Sequence, residues 1–244
     1  MFIQSDGIRL SCRMDRAAPD APLAVILHGI TGNKEERHIL GVAGALREAG
    51  FGTFRVDLCG HGESEGSFAA HTILRWVRNT RDVLTFAGSV SRRVFLCGHS
   101  QGGLTAMLAA AAGAEALSGL ILLSPACSIP EGARRGELLG MRFDPADPPE
   151  YAELPNKGVS VGRAYIRAAQ KIRTEEATFS GPVLIVHGEA DQTVPVSWSM
   201  DLIRQYPNGR LVIVPGDSHC YDHHLDAVQE AVRAWAAEAG VPRQ

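Results

Sequence analysis

Short apolar runs recur along the chain, separated by segments whose apolar residues follow a helical spacing. Each run is almost continuously hydrophobic, which is typical of a strand that is covered by other structure on both faces. The runs are 23–27, 51–56, 93–97, 119–123, 182–186 and 210–214. This pattern predicts a sheet that is mainly parallel.

Helical periodicity lies between most of these runs. The predicted helices are 36–49, 71–87, 102–112, 197–205 and 224–238. Regular alternation of strands and helices predicts an α/β fold with right-handed crossovers and an open, doubly wound sheet. The first dozen residues are expected to form a β-hairpin that turns at Asp6 and Gly7.

One long segment interrupts the alternation. No clear strand is predicted between Ser124 and Pro182, a stretch that holds the proline-rich passage 144–155 and a predicted helix near 162–173. Structureless loops of that length are uncommon in compact domains. We therefore expect residues 127–178 to form an inserted lid, and residues 1–126 and 179–244 to form the core.

Composition and charge limit the kinds of molecule that the protein is expected to bind. The chain has 244 residues, 45% of them hydrophobic, and a net charge of −3, which argues against nucleic acid and anionic membrane surfaces as partners. Apolar runs are far shorter than the roughly 18 residues of a membrane span. The five cysteines are scattered without CxxC spacing, and the N-terminal residues lack the pattern of a secretory signal. The expected location is the cytoplasm.

A serine stands in a turn rich in glycine. Residues 98–102, with the sequence GHSQG, fit the G-x-S-x-G motif, and they follow a predicted strand and precede a predicted helix. Glycine permits a sharp turn because it has no Cβ atom to clash with neighbouring elements. The turn would present the hydroxyl of Ser100 at the carboxyl edge of the sheet, beside a helix N-terminus that favours negative charge.

A serine hydroxyl needs a base, and the base needs a carboxylate to orient it. In folds with this motif the three residues occur in the order serine, acid, histidine. Asp191 follows the 182–186 run, and His219 follows the 210–214 run. Because the ends of parallel strands meet at one edge of a sheet, both side chains are predicted to lie near Ser100.

The neighbouring sequence offers alternatives for both roles. Glu189 and Asp217 are alternative carboxylates, although Asp217 is very close to His219 in sequence. His223 and His224 are alternative bases, but they lie at the start of the last predicted helix. They are therefore expected to form a solvent-exposed cap of that helix. The stretch HCYDHH (219–224) could suggest metal binding, but the sequence has no second group of ligands to match it. Neither a metal nor a cofactor is therefore expected.

Acyl chemistry also requires donors for the developing oxyanion. One candidate is the backbone N–H of Gln101, directly after the serine. The other is the N–H of Ile30 in the loop HGITG, where Gly29 and Gly32 allow the backbone to come close to the site.

The motifs HGITGNKEE, RVDLCGHGESEG, GHSQGG, HGEADQTVP and GDSHC resemble the α/β-hydrolase superfamily in their order, across essentially the whole chain. HGxTGNK, GHGxSxG and GHSQGG together are most similar to small bacterial feruloyl (cinnamoyl) esterases. This resemblance implies a triad of Ser100, Asp191 and His219, with Ile30 and Gln101 as oxyanion donors. It also implies that Tyr165 of the lid contacts the phenolic end of a hydroxycinnamate.

The expected function is that of a cofactor-free serine carboxylesterase, which acts on small-molecule esters through an acyl-enzyme. The lid is predicted to line an apolar pocket with Leu138, Leu139, Phe143 and Tyr165. Such a pocket would favour short acyl or hydroxycinnamoyl-type aromatic esters over long-chain fats. Exposed apolar residues of the lid would be compatible with a homodimer.

Two other functions stay open from the sequence. A serine aminopeptidase or amidase of the same fold would need an acidic subsite, which Glu131, Glu137 or Glu150 could supply. A non-catalytic ligand receptor could also retain all three residues of the triad.

Overall fold

The computed structural model describes residues 1–113 and 117–240. Its strands are β1 (Phe2–Ser5), β2 (Ile8–Asp15), β3 (Leu23–Leu27), β4 (Gly52–Val56), β5 (Val94–His99), β6 (Leu117–Leu123), β7 (Glu137–Leu138), β8 (Met141–Arg142), β9 (Tyr151–Glu153), β10 (Ser160–Gly162), β11 (Val183–Gly188) and β12 (Gly209–Val214). Its α-helices are α1 (Arg37–Glu48), α2 (Ile73–Val90), α3 (Gln101–Ala112), α4 (Ile129–Arg135), α5 (Arg163–Gln170), α6 (Ser197–Leu202) and α7 (Leu225–Ala239). Residues 114–116 and 241–244, which belong to the predicted core, lie outside the described residues.

An eight-stranded sheet organises the molecule, in the order β1-β2-β4-β3-β5-β6-β11-β12. Six strands of this sheet run parallel to one another, namely β4, β3, β5, β6, β11 and β12, whereas β1 and β2 are antiparallel to their neighbours. Every predicted apolar run corresponds to a strand of this sheet. The prediction of a doubly wound, mainly parallel sheet is therefore confirmed.

Helices cover both faces of the sheet, which explains why its parallel strands are almost continuously apolar. Alternate residues of a strand point to opposite faces. Phe95 and Cys97 of β5 pack with α1 and α7, while Leu96 packs with α2, α3 and the segment between β6 and β11. The carboxyl ends of the strands are left for loops.

The first two strands form the predicted hairpin. Ser5 pairs with Ile8, and the turn residues Asp6 and Gly7 have φ angles of 50° and 78°. Both central residues of a type I′ turn need positive φ, which an Asp-Gly pair adopts readily.

The segment between β6 and β11 has more structure than its sequence predicted. It contains α4, the antiparallel pair β7 and β8, the antiparallel pair β9 and β10, and α5. The predicted helix at 162–173 is shorter and spans Arg163–Gln170. Strands of two or three residues are too short to show a periodic pattern, so the sequence gives no sign of them. We call residues 127–178 the inserted segment.

Two helices differ from prediction at their ends. α6 ends at Leu202 and continues as a 3-10 turn over Ile203–Gln205, so the predicted helix 197–205 is not one regular element. α2 begins later than predicted because the side chain of Thr72 caps it, accepting the N–H of Arg75 at 3.0 Å.

Candidate active site

Ser100 lies in the tight turn between β5 and α3. Its φ of 55° and ψ of −121° form a combination that residues with a side chain rarely adopt. A Cβ at Gly98 would overlap the carbonyl of Gly102, and a Cβ at Gly102 would overlap the carbonyl of His28. The turn therefore requires glycine at both positions, as the sequence motif predicted.

Three side chains from separate loops meet at this turn. Nε2 of His219 lies 2.9 Å from Oγ of Ser100, and Nδ1 of His219 lies 2.6 Å from Oδ2 of Asp191. Ser100 follows β5, Asp191 follows β11 and His219 follows β12. The structure thus brings together the three residues that the sequence predicted, in hydrogen-bonding order.

Asp191 is held in place by more than His219. Its Oδ1 accepts the backbone N–H groups of Thr193 and Val194, both at 2.8 Å. Its Oδ2 lies 3.1 Å from Nε2 of His187. Burial opposes ionisation of Asp191, but hydrogen bonds from His187 and His219 outweigh it and hold the pKa of the carboxyl well below its ordinary value. Asp191 is therefore a carboxylate at neutral pH.

His187 is a member of this network that the sequence analysis missed. Its Nδ1 lies 2.7 Å from Oγ of Ser199, and its Nε2 lies 2.9 Å from the carbonyl of Val194. Since Nε2 faces a carbonyl and a carboxylate, both of which only accept, it carries the proton. The signal available was a histidine at the end of a strand, four residues before Asp191.

The alternative acids and bases have other contacts. Glu189 accepts the N–H of Gly216 at 3.0 Å from an exposed position. Asp217 is buried and accepts the N–H groups of Ser218, His223 and His224, so it organises the loop around His219.

The loop after β3 runs against the nucleophile. A Cβ at Gly29 would lie 3.1 Å from Cβ of Ser100. Nδ1 of His28 donates to the carbonyl of Gly29 at 2.6 Å, and the N–H of Thr31 donates to Nε2 of His61 at 3.2 Å. In a trans peptide, C=O and N–H point in opposite directions. The N–H of Ile30 is therefore directed away from His28.

Both predicted oxyanion donors are available. Among residues 1–113 and 117–240, no acceptor is found for the backbone N–H of Ile30 or of Gln101. Gln101 is the first residue of α3, so its N–H lies at the positive end of that helix.

A cleft of about 990 Å³ opens over Ser100 and His219. The inserted segment and the core loops both contribute to it. Its apolar lining residues are Ile30, Ile129, Leu138, Leu139, Leu154, Val194 and Trp198. Its charged lining residues are Glu36, Glu131, Arg135, Glu137, Lys157 and Asp222.

Two of the four predicted pocket residues line the cleft, and two lie elsewhere. Leu138 and Leu139 are part of the wall. Tyr165 is instead fully buried, because α5 directs it toward α3, where its hydroxyl donates to Oε1 of Gln101 at 2.7 Å. Phe143 packs against the main core, with its N–H on the carbonyl of Gly136. The structure thus corrects the prediction that Tyr165 and Phe143 face the cleft.

A doubly wound sheet of this order, with a serine turn after β5 and a histidine after β12, defines an α/β-hydrolase. The family model for serine aminopeptidase, S33, matches residues 19–144, and the model for TAP-like protein matches residues 163–244. The chain belongs to the serine aminopeptidase S33 family.

Solved and curated relatives agree with this class. Est1E from Butyrivibrio proteoclasticus with ferulic acid bound is 44% identical, with 98% of each chain covered and a TM-score of 0.95. A second structure of Est1E is 42% identical, with the same coverage and a TM-score of 0.92. Monoglyceride lipase from Rattus norvegicus is 30% identical over 197 residues, which cover 76% of this chain. The match spans 60% of the length of that lipase.

Two further features of the described part of the chain bear on its class. No helix there is both long enough and apolar enough to cross a membrane. No group of three or more His, Cys, Asp or Glu side chains there is arranged to hold a metal ion.

Proposed function

We propose that this protein is a serine carboxylesterase with Ser100 as nucleophile, His219 as general base and Asp191 as the orienting carboxylate. The observation that carries the proposal is the hydrogen-bonded line from Asp191 through His219 to Ser100, with distances of 2.6 and 2.9 Å. Contacts of this length permit proton transfer without rearrangement.

In the first step, Oγ of Ser100 attacks the ester carbonyl while Nε2 of His219 accepts its proton. Nδ1–H of His219 donates to Asp191, and this carboxylate stabilises the imidazolium that forms. The N–H groups of Ile30 and Gln101 stabilise the oxyanion. Loss of one such donor costs about 10²-fold to 10³-fold in kcat in known enzymes.

The first half of the reaction ends when the bond from the acyl carbon to the alcohol oxygen breaks, Nε2–H of His219 protonates the leaving alcohol, and an acyl-enzyme remains on Ser100. A water molecule then attacks the acyl carbon as His219 accepts a proton from it. The bond from the acyl carbon to Oγ then breaks as Nε2–H of His219 returns its proton to Oγ, which releases the acid and restores the Ser100 hydroxyl.

The proposed substrates are small esters with a short acyl group or an aromatic, hydroxycinnamoyl-type acyl group. Support comes from the apolar side chains in the cleft and from Est1E, which is solved with ferulic acid bound. Residues 127–178 would act as the lid, since Leu138 and Leu139 from this segment face the same cleft as Ser100.

An ester panel tests this proposal. Methyl ferulate, p-nitrophenyl butyrate, p-nitrophenyl palmitate and an aminoacyl p-nitroanilide are compared for wild type and Ser100→Ala. We expect turnover of the first two esters, little turnover of the palmitate, and none by the variant. Wild-type turnover by a folded Ser100→Ala would disprove the assignment of the nucleophile, and preference for palmitate would disprove the substrate class.

Peptide or amide hydrolysis is the second candidate, because the family model carries an aminopeptidase name. A free substrate amine would need an unpaired carboxylate. The three carboxylates that the sequence offered are already paired: Glu131 with Arg135, Glu137 with Arg142 at 3.0 Å, and Glu150 with Arg163 at 3.5 Å. Glu36 also lines the cleft, and its ion contact among the described residues is with the neutral His38, at 3.9 Å. The pairing argues against an amine subsite at those three side chains, which places esters first, and turnover of the anilide in the same panel would reverse that order and point to Glu36.

The third candidate, a receptor that keeps the triad without using it, is separated by covalent labelling. A fluorophosphonate probe reacts with an activated serine and leaves an unactivated one intact. We expect labelling of the wild type that is abolished in Ser100→Ala; an unlabelled wild type would favour the receptor.

A further inference from the structure

His99, the residue before Ser100, makes a hydrogen bond to the main chain of His219 in addition to the side-chain contacts of the triad. It directly precedes Ser100 at the end of β5 and is 3% exposed. Its Nε2 lies 2.9 Å from the backbone carbonyl of His219, and its Nδ1 lies 3.1 Å from Nε2 of His38. Two buried imidazoles thus form a chain that ends on the main chain of the base.

The direction of these hydrogen bonds follows from the chemistry of the groups. A carbonyl oxygen can only accept, so Nε2 of His99 carries a hydrogen. Burial lowers the pKa of His99 well below its ordinary value and that of His38 to about 4, which keeps both rings neutral at neutral pH. Nδ1 of His99 is then the acceptor. The bonds therefore run from His38 to His99 and from His99 to His219.

The same ring also borders the oxyanion loop. A Cβ at Gly29 would lie 3.2 Å from Nδ1 of His99 and 3.1 Å from Cβ of Ser100. His99 therefore has a contact on each of two loops, the one that carries His219 and the one that carries Ile30. The ring of His219 itself lies 4.9 Å from that of His99, measured between centroids.

We propose that His99 is a positioning residue, whose Nε2–H holds the main chain of residue 219 so that the imidazole of His219 stays in register with Oγ of Ser100. The inference rests on the proposed function. Ser100 and His99 are consecutive, so this one hydrogen bond closes a short connection between nucleophile and base. Asp191 fixes the far side of the His219 ring, and His99 fixes the backbone from which the ring projects.

A purely space-filling role would not require these groups. An apolar side chain could fill the same volume, whereas a buried imidazole adds the cost of removing two polar nitrogens from water. In this structure both nitrogens of His99 have hydrogen-bond partners, which are Nε2 of His38 and the backbone carbonyl of His219. The polar contacts are therefore the property that the test must isolate.

Four variants isolate it. His99→Leu removes both hydrogen bonds. His99→Gln retains a donor at about the position of Nε2, and His99→Asn is too short to reach the carbonyl of residue 219. His71→Leu is the control, because His71 is also fully buried but its hydrogen bond is to the carbonyl of Phe68 and not to a residue of the triad. For each variant, kcat and KM are measured on p-nitrophenyl butyrate, together with the rate of fluorophosphonate labelling and the melting temperature.

We expect kcat and the labelling rate of His99→Leu to fall by about 10²-fold, the effect of an error of about 1 Å in catalytic geometry, with KM changed only a few-fold. His99→Gln should recover to within about 10-fold of wild type, and His99→Asn should not recover. His71→Leu should lose stability but keep its kcat.

The proposal is overturned if folded His99→Leu keeps the wild-type kcat, or if His71→Leu with a similar melting temperature loses as much kcat. Equal losses in His99→Gln and His99→Asn would also overturn it, and that pair decides the question if His99→Leu does not fold. Activity in Ser100→Ala would instead refute the proposed function, so the two failures are distinguishable.

Discussion

The hydroxyl of Tyr165 donates a hydrogen bond of 2.7 Å to Oε1 of Gln101, and both side chains are fully buried. Tyr165 belongs to the inserted segment, and Gln101 is the residue after Ser100. In the described part of the chain, the side-chain nitrogen of Gln101 has no partner. The tyrosine is thus the polar contact that fixes this glutamine, and it connects the segment to the turn of the nucleophile.

Replacement of Tyr165 by phenylalanine should therefore affect stability more than substrate selection. The change leaves Oε1 of Gln101 buried without a donor, which costs about 1–3 kcal/mol of unfolding free energy. Because Tyr165 is absent from the wall of the cleft, KM for methyl ferulate and for p-nitrophenyl butyrate should change alike. Urea denaturation and kinetics on both esters check this. A selective rise of KM for methyl ferulate would restore Tyr165 as a substrate contact.

The backbone of Ser100 predicts a difference between two inactive variants. At a φ of 55° and ψ of −121°, alanine keeps the strain of the turn and glycine relieves it. Ser100→Gly should be more stable than Ser100→Ala by about 1–3 kcal/mol, measured by urea denaturation. Equal stabilities would mean that the turn stores no strain at this residue.

Asp191→Asn should lower kcat by about 10⁴-fold. The amide can donate to Nδ1 of His219, which moves the ring proton to Nε2 and prevents that atom from accepting the proton of Ser100. Glu189→Gln is the matched control, because this exposed carboxylate bonds only the N–H of Gly216 among the described contacts and should leave kcat near wild type. A larger loss in Glu189→Gln than in Asp191→Asn would exchange the two assignments.

Acid should destabilise the fold through its buried histidines. Burial lowers the pKa of His28, His38, His61 and His71 to about 4, from 6.5 in an exposed histidine. Between these pKa values the unfolded chain binds more protons than the folded one. The free energy of unfolding is therefore highest above pH 6.5 and decreases as the pH drops toward 4.

Urea denaturation between about pH 7.5 and about pH 5 measures this dependence. His71→Leu removes one of the buried histidines, so its slope should be shallower by up to about 1.4 kcal/mol per pH unit. A wild-type stability that is flat over this range, or an unchanged slope in the variant, would contradict the assignment of neutral buried rings.

Leu139 combines a strained backbone with a place in the cleft. Its φ is 53°, and its side chain is part of the apolar wall. Leu139→Gly and Leu139→Ala both shorten the side chain, so both should raise KM for methyl ferulate relative to p-nitrophenyl acetate. Glycine alone relieves the backbone, and it should be the more stable variant by about 1 kcal/mol. If KM is unchanged in both, the aromatic acyl group does not bind at this wall.

The sheet and the meeting of the three loops could be predicted because they depend on local patterns. Strands covered on both faces are mostly apolar along their whole length, and the serine turn requires its glycines. Once the sheet is parallel, residues after β11 and β12 must emerge at the same edge as Ser100. Asp191 and His219 could therefore be placed by sequence position alone.

The contacts made by individual rings could not be predicted in this way. Tyr165 and Ile166 are consecutive on α5, and only the packing of that helix against α2 and α4 determines that the tyrosine reaches Gln101. The bonds from His38 to His99 and from His99 to the carbonyl of His219 join residues that are 61 and 120 positions apart. No spacing in the sequence records such contacts.

The inserted segment joins β6 to β11, which are neighbouring parallel strands, so its removal or replacement would leave the order of the sheet intact. If the segment acts as the proposed lid, exchanging it would change which substrates bind while Ser100, Asp191 and His219 keep their positions on the sheet. Tyr165 lies in the segment that would be exchanged, whereas its acceptor Gln101 stays in the core. A chimera must therefore supply a tyrosine, or another hydrogen-bond donor, opposite Gln101.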